Sequence, residues 1–397
     1  MYFFLGSVYP PRLFEYLVSK KQFVDYPANV FQQSLLKGLD YHIADLRVIT
    51  SPVIRSPFFT ANDLFTPSFF SHRNSNDSNA YYVGTVPIPG IQILVEFWRV
   101  FRTLKKELKL SQSKNRIIIY ALHSPFLLSA VLLRNHIDCS CVVVPDLPEF
   151  MSNNHGLFRR TVKRIDRRII IFCLKRVGCF VLLSPYMRER LPIKNKPWVL
   201  MEGIYDTSSL PVEVEKTKER TILYSGNLSR RYGIVQLLEA FHQIEKDNYR
   251  LWICGSGEAK DDVLDYVKND KRIRYWGVVS HDEVLVLQQQ ATILINPRNC
   301  VGEYTKYSFP SKTMEYLASG TPTIMYHLPA IPKEYDDFLF YITEDGPKGI
   351  KNRLIDVCER PQQELDAFGQ KAAEFVRSKK NAYIQARKVK DIIDSVR

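Results

Sequence analysis

The chain has 397 residues, 45% of them hydrophobic, with a formal net charge of +13. That is long and apolar enough for about two domain cores, which excludes intrinsic disorder. Its seven cysteines (Cys139, Cys141, Cys173, Cys179, Cys254, Cys300 and Cys358) form no CxxC pair and no zinc spacing, so neither a disulfide framework nor a metal site is readable, and a reduced cytoplasmic compartment fits best.

In chain order, the amino-terminal run YFFLGSVY lacks the basic flank and the length of a signal peptide and is expected to be the first strand of a domain. A helix around residues 30–38 follows. The segment EFWRVFRTLKKELKL, residues 96–110, sets Phe97, Phe101, Leu104 and Leu108 on one helical stripe, with Arg102, Lys105, Lys106 and Lys109 around it. Strand IIIYALH ends at His123, and strand VVVPDLPEF ends near Asp146 and Glu149. Residues just after strands sit where open α/β sheets hold ligands. Between residues 157 and 196, twelve Lys and Arg, among them Arg159, Arg160, Lys163, Arg164 and Arg168, stand against Asp166 and Glu189. A solvated basic face would account for either helix alone. Two such helices in one half of the chain favour contact with an anionic membrane surface, where each Lys or Arg contributes about 1 kcal/mol. No nucleic-acid-binding motif or aromatic platform accompanies them, so nucleic acid is not expected as a partner. No apolar run is long enough to span a membrane.

Further strands, CFVLLS, TILYSGN, YRLWICGSG, IRYWGVV, ATILINPR and TPTIMYHLP, alternate with helical patterns. Short apolar strands between helices predict parallel sheets covered on both faces. The change-over near KNKPWVLMEGIYDTSS places a linker at residues 202–220 between domains 1–201 and 221–380. After TILYS comes the turn Gly226-Asn227-Leu228-Ser229-Arg230-Arg231-Tyr232-Gly233, in which the planar fork of Arg231 suits a phosphate. Gly255 and Gly257 follow the next strand and allow close backbone approach. Arg298, in Asn296-Pro297-Arg298, is open to two readings, an anion ligand or a salt-bridge partner. The run EYTKYSFPSKTMEYLASGTP, residues 303–322, reads as a phosphate-facing loop entering a helix that opens near Lys312 and stops at Ser319-Gly320. A cation in the first turn, at the positive end of a helix, is better explained by an anion beside it.

The run Glu315-Tyr316-Leu317-Ala318-Ser319-Gly320-Thr321-Pro322 resembles the second half of the motif of the retaining nucleotide-sugar glycosyltransferases of family 4. The resemblance implies the GT-B fold, α/β, with two doubly wound Rossmann-like domains facing across a cleft and a terminal helix, about 381–397, returning to the first. It implies that Glu315 holds the nucleotide ribose. Tyr307 stands where the family's first glutamate contacts the donor sugar, with Glu303 four residues earlier as a substitute. Asn227 and Tyr232 stand where the family has its phosphate-binding arginine and lysine. The donor site so implied comprises Gly226, Asn227, Arg231, Gly255, Gly257, Trp276, Gly277, Val278, Glu303, Tyr307, Ser308, Phe309, Pro310, Ser311, Lys312 and Glu315, with main-chain groups at 276–278 reading the base. Arg231, Lys312 and the loop amides would stabilise the leaving diphosphate. His123 and Asp146 are the acceptor-side candidates, Asp146 lacking the histidine that often precedes it because Pro145 is there.

The activity implied is transfer of a sugar from a nucleotide diphosphosugar, with UDP the commonest carrier, to a lipid-linked saccharide at the cytosolic membrane face in surface-polysaccharide assembly. Neither metal nor cofactor is implied. A paired-carboxylate glycosidase lacks a readable acid pair. Two alternatives share the fold: a sugar-nucleotide 2-epimerase, and a non-catalytic scaffold whose donor site has decayed.

Overall fold

A computed structural model describes residues 1–54, 66–72, 79–86, 88, 91–111, 114–147, 157–193, 195–206 and 214–396, with only the backbone at 157–159. The chain divides into two compact units, Met1–Ile204 with Ala382–Arg397, and Tyr205–Asn381.

The first unit runs β1 (Tyr2–Gly6), α1 (Pro11–Ser19), α2 (Tyr26–His42), β2 (Leu46–Thr50), β3 (Ser68–Phe70), β4 (Ala80–Tyr82), α3 (Ile91–Leu110), β5 (Arg116–Tyr120), α4 (Ser124–Leu132), β6 (Cys139–Val144), α5 (Leu157–Leu174), β7 (Cys179–Leu182), α6 (Met187–Arg190) and β8 (Trp198–Leu200). Its sheet has the order β3-β4-β2-β1-β5-β6-β7-β8. Among the described strands of this sheet, only β3, on the edge, runs antiparallel to its neighbour. Ile117, Ile118, Ile119, Val142 and Val143 are fully buried, as expected where helices cover both faces of a parallel sheet. One core layer joins Phe4, Ile118 and Val143 to Leu35 and Leu39 of α2 and to Val389 and Ile393 near the carboxyl end. Each such burial contributes about 1.5–3 kcal/mol.

The second unit runs β9 (Arg220–Ser225), α7 (Ile234–His242), β10 (Tyr249–Cys254), α8 (Lys260–Asn269), β11 (Ile273–Gly277), α9 (His281–Gln290), β12 (Ile293–Asn296), α10 (Ser311–Ala318), β13 (Thr323–Tyr326), β14 (Phe340–Ile342), α11 (Gly346–Cys358) and α12 (Gln362–Lys379). Its sheet, in the order β11-β10-β9-β12-β13-β14, is wholly parallel. The last helix, α13 (Ala382–Ser395), belongs to the first unit, where it lies along α2. Strands β2, β3, β4 and β14 were not expected from the sequence. The stripe expected on α3 holds at Leu104 and Leu108, which are buried, but in the first half Glu96 and Val100 are buried where Phe97 and Phe101 were expected, and these two are half-buried. The reason is a polar contact of Glu96 described below.

Candidate functional site

In the second unit the strand order reverses between β9 and β12, the point where doubly wound sheets bind ligands at their carboxyl ends. The loops leaving those two strands touch. Gly233 has φ +81°, and a Cβ there would stand 2.2 Å from the Pro297 carbonyl oxygen, so only glycine permits the approach. The loop after β10 presses in from the other side. Gly255, at φ +128°, would place a Cβ 1.8 Å from the Gly226 oxygen, and a Cβ on Gly257 would stand 2.5 Å from the Leu228 oxygen. Hydrogen bonds from Gly226 N to Cys254 O (3.0 Å) and from Leu228 N to Ser256 O (2.9 Å) lock the two loops together. Gly255 and Gly257 thus serve loop-to-loop packing.

Three arginines leave these loops, with different fates. Arg230 pairs with Asp262 at 2.6 Å, while Glu258 accepts from its backbone N–H and from the Ser229 hydroxyl. Exposed Arg231 instead lays its guanidinium over the Tyr304 ring, 3.5 Å from the centroid. Arg298 leans on the same ring at 4.8 Å and on Tyr232 at 5.5 Å. Of the two readings of Arg298, the salt-bridge partner has no support: the side chain is buried, and its Nε and Nη2 meet no hydrogen-bond partner among the described residues. Asn227 is exposed, and its carbonyl accepts from the Tyr224 hydroxyl at 2.6 Å.

Helix α10 starts at Ser311 without a side-chain cap, Pro310 standing at its N-cap, and ends before Gly320 at φ +78°. Its positive dipole end and first-turn N–H groups suit an anion, although the Thr313 amide already donates to the Pro310 carbonyl (2.9 Å). Tyr316 fixes the helix to the sheet. Its buried hydroxyl accepts from Ser225 N (2.8 Å) and donates to Ser225 O (2.9 Å), at the end of β9. That anchor holds the neighbouring Glu315, whose Oε1 accepts from buried Gln288 Nε2 (2.6 Å) and from Lys312 Nζ (2.8 Å). The anion beside Lys312 is therefore Glu315, one turn along the same helix. A carboxylate held in this way keeps acceptor capacity for a diol, with the cation one turn nearer the helix start.

Before α10, Glu303 is exposed and accepts from the Tyr307 hydroxyl at 3.3 Å. The two candidates for the sugar contact are therefore neighbours. Ser308 is half-buried, and Phe309 packs on Tyr335 at 5.5 Å. Ser311 is exposed. At the edge expected to read the base, Trp276 packs edge-on against Trp252 (5.4 Å) beneath the Arg274 guanidinium. Gly277, at φ +74°, has open space where a Cβ would be, and Val278 is 75% exposed. The indole is committed to packing, and the Gly277 carbonyl accepts from the Gly255 amide (2.7 Å).

In the first unit, His123 and Asp146 follow the adjacent strands β5 and β6. His123 Nε2 meets Glu96 Oε1 at 2.8 Å, which draws Glu96 inward on α3. Burial pulls the imidazole pKa down, but the hydrogen-bonded Glu96 carboxylate together with the Asp166 charge more than offsets it, so the net shift is upward. Burial, reinforced by the Asp25 charge, raises the Asp146 carboxyl above its ordinary value. On α5, Arg160, Lys163, Arg164 and Arg168 are exposed. Glu149 and the Arg159 side chain lie outside the described residues. Sequence reasoning missed Gln288, Tyr304, Tyr316 and Glu96, each of which acquires its contact through tertiary packing.

Two parallel Rossmann-like sheets, each in its own unit, constitute the GT-B fold, and solved structures of that fold cover the whole chain. Sucrose-phosphate synthase from Thermosynechococcus elongatus is 14% identical with a TM-score of 0.67, covering 99% of this chain and 98% of that one. Anabaena HepE in complex with UDP is 10% identical with a TM-score of 0.62, covering 100% of both chains. The lipopolysaccharide outer core galactosyltransferase WaaB is 13% identical with a TM-score of 0.61, covering 99% of both. A search of curated proteins gave no match. Residues 207–375, nearly the whole second unit, match the family described as glycosyl transferases group 1. The second unit thus resembles the group 1 glycosyl transferases over nearly its whole length, and the chain as a whole shares the GT-B fold with the solved structures.

Proposed function

We propose that the chain transfers a glycosyl group from a UDP-sugar to a lipid-linked saccharide in surface-polysaccharide assembly, without a metal ion and with retention of configuration. The observation that carries the donor half is Glu315, held by Gln288 and Lys312 beside an uncapped helix start. Its carboxylate takes the ribose hydroxyls, and Lys312, the α10 amides and Arg231 take the diphosphate. As the C1–O bond to the diphosphate breaks and the acceptor oxygen bonds C1, charge grows on the leaving phosphate. Fixed cations and amides aimed there lower the barrier. Tyr307 and Glu303 are assigned to the donor sugar, and His123 and Asp146 to the acceptor. The UDP in the HepE structure supports the choice of base.

The acceptor half rests on α3 and α5, which both pack on α4. They expose Ile91, Leu94 and Trp98 on one and Val162, Ile165 and Phe172 on the other, interleaved with the basic residues. Apolar anchors among cations suit an anionic lipid surface. No helix among the described residues is long and apolar enough to cross a membrane. The printed name of WaaB, a lipopolysaccharide transferase, is in keeping with such an acceptor.

Thermal shift with UDP, GDP and dTDP and their common sugars tests the donor site. One nucleotide is expected to raise Tm in wild type and not in Glu315→Ala, and no shift with any would favour the non-catalytic scaffold. Replacing Arg160, Lys163, Arg164 and Arg168 by glutamine is expected to release the protein from phosphatidylserine vesicles. Undiminished binding would redirect the acceptor search to soluble sugars.

A further inference from the structure

The donor reading leaves one buried cation without a task. Arg298 is only 7% exposed, and its Nε and Nη2 meet no hydrogen-bond partner among the described residues. A buried guanidinium with idle donors is costly unless something binds it. Beside it, the Tyr304 hydroxyl is also buried and unpartnered. Arg231 lies on the Tyr304 ring, so two guanidinium groups share one aromatic ring. Each carries a planar fork of donors suited to phosphate oxygens. The contact of Gly233 with Pro297 enforces the pairing, because it fuses the loops that carry the two arginines at the switch point.

We infer that Arg298 is a phosphate ligand that closes a two-guanidinium clamp with Arg231, and that this clamp makes the site select nucleoside diphosphates over monophosphates. The inference rests on the donor reading above. Lys312 is ion-paired to Glu315, so it and the α10 start serve the phosphate next to the ribose that Glu315 holds. The guanidinium pair is left for the next phosphate. A monophosphate has no group to place there, and a diphosphate does. The clamp replaces the arginine and lysine whose positions Asn227 and Tyr232 occupy.

Isothermal titration of the full chain with UDP, GDP, dTDP, their monophosphates and inorganic pyrophosphate tests this. For the base that binds, Arg298→Gln is expected to weaken the diphosphate about 10- to 100-fold and leave the monophosphate unchanged. Arg298→Lys, which keeps the charge without the fork, is expected to recover only part of the loss. It also serves as the folded control should glutamine destabilise the loop. A diphosphate-to-monophosphate preference unaltered by either variant, in a chain that binds nucleotides, overturns the clamp and leaves the donor reading standing. Pyrophosphate binding that depends on Arg298, with no nucleotide bound, sustains the clamp and overturns the donor reading. Binding of none of these probes overturns both.

Discussion

Replacing Tyr316 by phenylalanine isolates the anchor that joins the signature helix to the sheet. The ring stays, so no cavity forms and the apolar packing is kept. What goes is one hydroxyl that accepts from Ser225 N at 2.8 Å and donates to Ser225 O at 2.9 Å. Ser225 is 3% exposed, and its amide sits at the last position of β9, past the β12 register pairs, which stop at Leu223. An orphaned buried N–H costs about 1–3 kcal/mol, and the bond to the carbonyl adds about 1 kcal/mol. A total of about 2–4 kcal/mol, in a unit of this length, lowers Tm by roughly 5–10 °C. Differential scanning calorimetry of wild type and Tyr316→Phe reads this directly, and the transition assigned to the second unit is the one expected to move. Nucleotide affinity should fall as well, because Glu315 and the start of α10 ride on the same anchor. A variant melting within about 1 °C of wild type would show that Ser225 finds another partner at no cost, and the account of how Glu315 is positioned would be wrong.

Gly233→Ala is expected to destabilise the second unit by more than about 1 kcal/mol, since it adds a Cβ against the Pro297 carbonyl at a left-handed position. An unchanged urea midpoint would contradict the contact. Asp146→Asn addresses pH. The folded-state carboxyl holds its proton to higher pH than the unfolded chain does, so its contribution is complete below the unfolded pKa and is lost as pH rises through the raised folded value. The variant is therefore expected to be more stable than wild type at neutral pH, with the gain fading below about pH 4. A gain that grew toward low pH would reverse the assigned cause.

Much of the fold was legible because continuous apolar runs such as Ile117–Ile119 and Leu294–Ile295 have few alternatives to a sheet buried on both faces. The strands that escaped notice are short or mixed. In β2, Arg47 is exposed amid apolar neighbours, and β3 and β4 are three residues each. The signature helix and its glycine stop could be read from turn chemistry and small residues alone. Its electrostatics could not, since Gln288 reaches Glu315 from another helix 27 positions away. Arg298 illustrates the same limit. Whether an arginine after a strand is paired or idle depends on which carboxylates the other loops bring near, and the local sequence carries no trace of that. On α3 the expected stripe holds at Leu104 and Leu108 and shifts by one residue in the first half, from Phe97 and Phe101 to Glu96 and Val100, because the bond of Glu96 to His123 turns a charged residue inward.

The second unit is one uninterrupted stretch of chain, residues 205–381, whereas the first is assembled from two stretches far apart in sequence. During synthesis the second unit has all its strands once residue 381 emerges. The first, although most of it is made earlier, still lacks α13. Ala386, Val389 and Ile393 of that helix lie in the same core layer as Phe4 and Leu39. Until they arrive, the α2 side of the first sheet is an open apolar surface, so the earliest part of the chain to be made is among the last to be completed. Released chains that end shortly before residue 382 would thus carry a complete second unit beside an incomplete first one, and would be the species that most needs chaperone protection.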